Sequence, residues 1–194
     1  MSKNVVILIV VLLAIVAGVF YLEKPKEGIV CADGDTGVYS LSFSDDKGRC
    51  RALGEFKAPV VVINSWASWC PFCVEELPDL GRIAEEFPEV PVVIINRSES
   101  STDANTFLKT LDVSKKVVRL FDPEDSFYKF IEGFGMPETI FIDESGATIF
   151  HKRGVMSYEE MESIIKQLTS RIQPNLETYN NLACLGDGEA CRVN

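Results

Sequence analysis

Two cysteines separated by two residues, Cys70 and Cys73, stand in the segment Trp69-Cys-Pro-Phe-Cys73. A β-branched run that predicts a buried strand precedes them, and residues with helical spacing follow. Cys70 is therefore expected where a helix begins, and Pro71 suits the first helical turn. Unpaired N–H groups and the helix dipole stabilise a thiolate there. We expect Cys70 to be the attacking thiol and Cys73 to resolve a mixed disulfide.

A zinc site and a fixed disulfide are the alternatives for this pair. Zinc would need a second cysteine pair or histidines at ligand spacing, but the chain has no second C-x-x-C motif and one histidine, His151. A structural disulfide that closes so small a loop would add little stability. We therefore favour redox chemistry and predict no metal and no resident cofactor. His151 is expected to be a surface or strand-edge residue.

The composition limits the class of protein. The 194 residues suit one domain, and 29 acidic against 19 basic residues give a net charge of −10. A nucleic-acid partner is not expected, because phosphate contacts need clustered Lys and Arg. Six cysteines favour an oxidising, extracytoplasmic compartment.

An apolar run of 18 residues, Val5 to Leu22, predicts a membrane anchor. As a helix it would span about 27 Å, close to the hydrocarbon thickness of a bilayer. An uncleaved signal-anchor is favoured, and a cleaved signal peptide is the alternative. The prediction is a single-pass protein of the cell membrane with its soluble domain on the extracytoplasmic side. That acidic domain is expected to stay off anionic lipid headgroups.

The predicted organisation is a short tail at 1–4, the anchor at 5–22, a linker at 23–30, a domain at 31–173 and a C-terminal extension at 174–194. In the domain, strands alternate with helices, which indicates a mostly parallel central sheet with an antiparallel hairpin at its end. An N-terminal hairpin turns at 45–48. The strands are predicted at 38–43, 59–64, 90–96, 117–121, 139–143 and 147–152. The helices are predicted at 73–87, 101–111, 125–132 and 158–172.

Four further cysteines, Cys31, Cys50, Cys184 and Cys191, allow three pairings among themselves. Proximity favours Cys31–Cys50 across the N-terminal hairpin and Cys184–Cys191 across a short glycine-containing loop. We expect both pairs to be structural disulfides. A second redox pair formed by Cys184 and Cys191 is the alternative.

Two motifs carry a family resemblance. The segment Val60-Val-Val-Ile-Asn-Ser-Trp-Ala-Ser-Trp-Cys-Pro-Phe-Cys-Val-Glu-Glu-Leu-Pro78 resembles the active-site strand and helix of membrane-anchored thioredoxin-like proteins. These are extracytoplasmic thiol–disulfide oxidoreductases that include the cytochrome c maturation thioredoxins. Gly135-Met-Pro-Glu-Thr139 is similar to the loop of that family with a cis-proline before a strand. The resemblance covers about 38–172.

The resemblance implies an α/β, thioredoxin-like fold: a central mixed sheet flanked by helices, with the N-terminal β-hairpin as an extension. It implies that Pro137 is cis and faces the cysteines, and that the backbone of Met136 pairs with a substrate strand. Trp69, Pro71 and Phe72 complete the expected substrate-binding surface, with Trp69 covering the cysteines. Clients would be protein thiols and disulfides, and a membrane protein would donate or accept electrons.

Glu76 matches the acid found three residues after the second cysteine in several relatives. On a helix, Cys73 and Glu76 share a face, and a carboxylate there could take and return a proton. A solvated helix acid beside Glu75 is the alternative. Asn64 departs from cytosolic thioredoxins, which carry a buried Asp at that position. Because Asn cannot shuttle protons, Glu76 is the leading candidate for acid–base help.

Three other activities are compatible with related folds. Electron flow is expected toward the client, by resemblance only, and a disulfide-forming oxidase is the alternative. A copper-binding module on the same fold would use wider cysteine spacing and a histidine ligand, which disfavours it here. A peroxidase would need Thr three residues before its reactive cysteine, where this chain has Ala67.

Overall fold

The computed structural model describes Leu12, Cys31 and residues 35–183, with side chains described as far as Arg171. Apart from Leu12, the predicted anchor lies outside these residues, as do the linker and both Cys184 and Cys191. Within the described part, no helix combines the length and apolar character that crossing a membrane requires.

The described residues form a seven-stranded mixed sheet of order β2-β1-β5-β4-β3-β6-β7. Strands β3, β4 and β5 run parallel, and β6 and β7 add an antiparallel hairpin beside β3. The N-terminal hairpin, β1 with β2, joins the other side through antiparallel pairing of β1 with β5. The strands are β1 (Ser42–Asp45), β2 (Cys50–Ala52), β3 (Val61–Trp66), β4 (Val92–Arg97), β5 (Val118–Asp122), β6 (Glu138–Ile142) and β7 (Thr148–Arg153).

Apolar side chains on both faces explain why the central strands are buried. Val62 of β3 belongs to one core cluster and Ile63 to the other, as the alternation of a strand requires. The helices of this part are α1 (Pro71–Glu86), α2 (Ser101–Leu108), α3 (Ser126–Phe130) and α4 (Tyr158–Ala183). The apolar faces of α1 and α4 pack in the first cluster, and α3 and the segment before β1 pack in the second.

Two predicted elements differ from the structure by more than three residues at one end. Gly37–Ser40 is a 3-10 turn, and the strand predicted at 38–43 begins only at Ser42. The neighbours Val38 and Tyr39 are both buried, which a turn permits and an alternating strand does not. The last helix, predicted to end at Ile172, continues to Ala183.

A disulfide joins Cys31 to Cys50 of β2, the pairing that proximity favours, with Cα atoms 5.9 Å apart. Cys50 lies in an edge strand of the sheet. The bond therefore ties the start of the described domain to its hairpin.

The predicted site residues lie together at one edge of the sheet. The carboxyl ends of β3, β4 and β5 meet there because these strands are parallel. Strand β6 starts at the same edge, since it is antiparallel to β3 and Glu138 pairs with Ser65. Cys70 follows β3 and Pro137 directly precedes β6, so both lie at this edge.

Candidate active site

Cys70 caps the N-terminus of α1. Its Sγ accepts the backbone N–H of Cys73 at 3.2 Å, and Pro71 is the first residue of the helix. A disulfide joins Cys70 and Cys73, with Cα atoms 5.3 Å apart. Both are buried, at 4% and 1% exposure. The same N–H group and the helix dipole favour negative charge on Cys70 sulfur once the disulfide opens.

The peptide bond between Met136 and Pro137 is cis, as the resemblance implies. Pro137 is buried and Met136 is half-buried. The carbonyl of Pro137 accepts the backbone N–H of Gly154 at 2.8 Å, which fastens the loop to the end of β7.

Glu138 stabilises this loop through hydrogen bonds to its backbone. This role was not predicted from the sequence. The carboxylate is completely buried, and Oε1 accepts the N–H groups of Phe134 at 2.5 Å and Gly135 at 2.7 Å. Oε2 lies 2.7 Å from Nε2 of His151, and Nε of Arg153 is 3.8 Å from Oε1. One signal was available: Glu138 is the charged residue of a strand that otherwise reads Thr-Ile-Phe-Ile.

His151 lies in edge strand β7, as predicted, yet its side chain is only 22% exposed. It stands diagonal to Glu138 across β6 and β7, because Glu138 pairs with Arg153. His151 is thus part of the support of the loop.

Tyr128 holds the same loop from the side. Its hydroxyl donates to the carbonyl of Gly135 at 2.8 Å. The guanidinium of Arg97 lies 3.5 Å from the centre of the Tyr128 ring and makes a bidentate pair with Asp125 at 2.8 and 2.6 Å. Burial raises the pKa of Tyr128, so its hydroxyl stays a donor. Gly135 is therefore held at both its N–H and its carbonyl.

Glu76 is a buried acid and not a solvated one; its neighbour Glu75 is the exposed residue. The Thr139 hydroxyl donates to Oε1 of Glu76 at 3.2 Å, and Asn64 Nδ2 donates to that hydroxyl at 2.9 Å. These bonds connect the helix that carries the cysteines to β3 and β6.

Burial raises the pKa of Glu76 to about 8, and the charges of Asp79 and Glu160 act in the same direction. The hydrogen bond from Thr139 opposes the shift. A carboxyl group with this pKa exchanges protons in the range where thiols do, near 8.5 for a free cysteine. Glu76 follows Cys73 by three residues in α1, so the two side chains share a face of the helix.

Glu99 fixes the segment before the cysteines and was also missed. Its carboxylate accepts the backbone N–H of Ser68 at 2.8 Å, the Ser68 hydroxyl, and Asn96 Nδ2 at 2.6 Å. Ser68 stands two residues before Cys70. The carboxylate thus ties the approach to Cys70 to the end of β4.

Exposed aromatic side chains lie close in sequence to the cysteines and to the loop. Trp69 and Phe72 are 60% and 59% exposed, and Pro71 between the cysteines is exposed as well. Phe134, which the sequence analysis did not single out, is 88% exposed. The cover of the cysteines by Trp69 stays a prediction, and its exposed surface is open to contact with a client.

A dithiol at a strand–helix junction and a cis-proline at the same edge of a mixed sheet define a thioredoxin-like domain. The family model for Redoxin matches residues 36–168, and the chain belongs to this family. It is a thioredoxin-like thiol–disulfide oxidoreductase related to cytochrome c maturation proteins.

Comparison with known proteins gives relatives along nearly the full chain. Thiol-disulfide oxidoreductase ResA of Bacillus cereus is 24% identical over 178 residues, which cover 87% of this chain and 99% of that protein. Thiol:disulfide interchange protein DsbE of Allochromatium vinosum is 29% identical, over 89% of this chain and 96% of that protein.

Solved structures share the fold. The structure of MTB dsbF superposes with a TM-score of 0.63 at 24% identity and covers 70% of this chain and 99% of that one. A DsbE thiol:disulfide interchange protein from Chlorobium tepidum gives 0.61 at 22% identity, covering 72% and 98%.

Proposed function

We propose that Cys70 and Cys73 exchange disulfides with protein cysteines outside the cytoplasm, as a reductant. The Cys70 thiolate attacks one sulfur of a client disulfide; the client S–S bond breaks and a mixed disulfide forms. The released client thiolate takes a proton. Cys73, deprotonated, then attacks Cys70 sulfur and releases the second client thiolate. Two electrons pass to the client, and the enzyme retains the Cys70–Cys73 disulfide.

The observation that carries this proposal is the position of Cys70 at the helix N-terminus. The N–H of Cys73 points at its sulfur at 3.2 Å, and the helix dipole adds positive potential there. Both effects increase the thiolate fraction of Cys70 at neutral pH. Cys70 is therefore the sulfur that attacks the client first and that Cys73 attacks in the second step.

Glu76 supplies the proton transfers. While protonated it donates to a departing thiolate, and while ionised it accepts the proton that Cys73 must lose. Its pKa of about 8 lets it do both near neutral pH. Asn64 and Thr139 position this carboxyl group through their hydrogen bonds.

The client binds as an extended segment along the loop that contains Met136. The backbone of Met136 pairs with the client strand, in the manner of β-augmentation. Exposed Trp69, Phe72 and Phe134 offer apolar contact to side chains that flank the client cysteine. The supports at Gly135 hold this loop ready for pairing, which lowers the entropy cost of binding.

The reducing direction, the compartment and the tether are the remaining parts of the proposal. The apolar run at 5–22 supports membrane anchoring, and the number of cysteines supports an oxidising compartment. A membrane electron donor would return the Cys70–Cys73 disulfide to the dithiol. The direction is supported by the resemblance to cytochrome c maturation thioredoxins.

A single-turnover assay tests the chemistry. Reduced enzyme is mixed with one equivalent of a disulfide-bonded peptide, and products are followed by mass spectrometry. Cys70→Ser should abolish turnover, and Cys73→Ser should accumulate the mixed disulfide with Cys70. The double variant Cys31→Ser/Cys50→Ser is the matched control and should retain turnover. Unchanged turnover in Cys70→Ser would overturn the mechanism.

The reduction potential of the Cys70–Cys73 pair tests the direction. Equilibration in glutathione or dithiothreitol buffers should give a potential near that of thioredoxin, about −270 mV. A potential near that of DsbA, about −120 mV, would assign the enzyme to disulfide formation instead.

A further inference from the structure

A cationic cleft lies at the edge of the sheet opposite to Cys70. It has a volume of about 380 Å³ and is formed by the β1–β2 hairpin, the segment before β5 and the first residues of β5. Strand β5 runs parallel to β3, so its beginning lies at the opposite edge from the end of β3. The lining residues are Asp45, Asp46, Arg49, Arg51, Lys115, Lys116, Val117, Val118 and Arg119.

The charge of this cleft is opposite to that of the chain. Five basic side chains and two carboxylates line it, whereas the whole chain has a net charge of −10. Five of 19 basic residues are therefore gathered at one place. Such a concentration in an acidic protein favours an anionic ligand.

Part of this positive charge is not neutralised by ion pairs. Arg49 pairs with Asp45 at 2.6 Å and Arg51 with Glu55 at 2.6 Å. Lys116 pairs with Glu85 at 2.8 Å. Lys115, in contrast, is exposed and has no ion-pair partner among the described residues. Arg119 donates from one terminal nitrogen to a backbone carbonyl at 2.9 Å, and its buried Nε has no hydrogen-bond partner in the described part. The exposed ammonium group of Lys115 therefore remains available to an anion.

The cleft is covalently close to the predicted tether. Arg49 and Arg51 flank Cys50, which is bonded to Cys31. Eight residues separate Cys31 from the apolar run, and fully extended they span at most about 29 Å. If 5–22 is the anchor, this edge of the sheet lies within reach of the bilayer surface.

We propose that the cleft binds the phosphate of an anionic membrane lipid. The inference rests on the proposed membrane tether. The ligand chemistry is that of a phosphate group, which guanidinium and ammonium groups recognise, and the tether makes the lipid headgroup the source. The general expectation that an acidic domain avoids anionic headgroups does not hold for this face.

Orientation is the functional consequence. The cleft is attracted to an anionic surface while the rest of the acidic domain is repelled from it. The domain therefore rests with the cleft toward the bilayer, and the edge that carries Cys70 points away from it. Clients reach the dithiol from the aqueous side.

Amine footprinting of the full chain tests the proposal. The protein is reconstituted in phosphatidylcholine vesicles with or without phosphatidylglycerol, labelled with an amine-reactive reagent and analysed by mass spectrometry. Labelling of Lys115 and Lys116 should fall several-fold when phosphatidylglycerol is present, and high salt should restore it. Lys129, exposed within α3 at the opposite edge, is the internal control and should not change.

A pair of matched variants sharpens the test. Lys115→Glu should abolish the phosphatidylglycerol-dependent protection of Lys116, whereas Lys129→Glu should leave it intact. Equal labelling of Lys115 with and without phosphatidylglycerol would overturn the proposal. Protection by inorganic phosphate in detergent without protection by phosphatidylglycerol would also overturn it, since the source would then be soluble.

A separate measurement, retention on vesicles, tests the membrane tether. Retention of the chain on pure phosphatidylcholine vesicles after a salt wash depends on the anchor and not on the cleft. A chain that washes off these vesicles contradicts the tether on which the proposal rests. A chain that stays but shows no protection contradicts the cleft alone.

Discussion

The carboxylate of Glu138 lies 2.7 Å from Nε2 of His151 and, through its other oxygen, holds the backbone N–H groups of Phe134 and Gly135. A side chain on the first residue of β6 thereby connects the far hairpin strand to the loop that ends in the cis-proline. Because Glu138 is completely buried, its hydrogen bonds cannot be replaced by water. We expect the loop that contains Phe134 and Gly135 to become less well ordered when the Glu138 carboxylate is substituted.

Glu138→Gln should weaken client binding. The amide keeps one oxygen for the two backbone N–H groups, but it removes the negative charge and places an NH2 donor where a carboxylate oxygen faces His151. We expect KM for a disulfide-bonded peptide to rise on the order of tenfold, as losing a hydrogen bond to a charged group implies, with little change in kcat. Steady-state kinetics over a range of peptide concentrations measures this split.

The matched control is Glu132→Gln, which changes an exposed glutamate shortly before the same loop. It should leave KM unchanged. A potential of the Cys70–Cys73 pair that moves in Glu138→Gln while KM stays constant would contradict the positioning role.

Glu76→Gln should flatten the pH dependence of thiol–disulfide exchange. Glutamine keeps the shape of the side chain but neither donates an acidic proton nor accepts one. With the pKa of Glu76 at about 8, the wild-type rate should change through that pH as this carboxyl ionises, and the variant should lack this step. Stopped-flow single-turnover rates from pH 6 to 10 test the prediction, with the exposed Glu75→Gln as the control. A step of equal size in Glu76→Gln would exclude Glu76.

Glu76 also makes stability depend on pH in a definite direction. Its pKa rises from 4.5 in the unfolded chain to about 8 in the folded one, so the folded state holds the proton more tightly. This contribution is fully present below about pH 4.5 and is lost as pH rises through about 8.

As the pH rises from 4.5 to about 8, the free energy of unfolding of the wild type should therefore fall relative to that of Glu76→Gln. The expected fall is a few kcal/mol, on the order of 1.4 kcal/mol per pKa unit. Urea unfolding of both proteins at several pH values between 4.5 and 9 measures it. Asp45 and Asp143, whose pKa values are lowered by hydrogen bonds to their carboxylates, act in the opposite direction but below this window. A constant difference between the two proteins would contradict the burial of the charge.

The double variant Cys31→Ser/Cys50→Ser should lower the free energy of unfolding without changing the reduction potential of the Cys70–Cys73 pair. The disulfide joins residues 19 apart in sequence, and loop entropy gives about 3 kcal/mol for a ring of this size. Urea unfolding under non-reducing conditions measures the loss. The potential of Cys70–Cys73 should stay constant, and a shifted potential would show that the two bonds are coupled.

Local chemistry made the core of the site predictable. Cys70 and Cys73 are separated by only two residues, and the strand–helix junction around them follows from hydrophobic periodicity. The cis bond at Pro137 follows from a short motif, and Cys31–Cys50 from proximity across a hairpin. Each of these depends on few residues that are close along the chain.

Contacts between distant segments account for what was missed. The burial of Glu76 depends on α4 and on Thr139, which is 63 residues away. Glu138 gains its role only when β7 brings His151 beside it, and Glu99 only when β4 lies next to β3. Charged residues of this kind look like surface residues in a single sequence, because their partners are unknown until the strands are placed.

The sheet order has a last consequence for the two disulfides. Strand β2, with Cys50, stands four positions from β3, which leads to Cys70, and at about 4.8 Å per strand this is about 19 Å. Thiol–disulfide exchange needs direct contact of sulfurs. The reduced dithiol of one molecule therefore cannot attack the Cys31–Cys50 bond of that same molecule. Within one molecule, the spacing of the strands thus keeps the catalytic dithiol and the Cys31–Cys50 bond chemically independent.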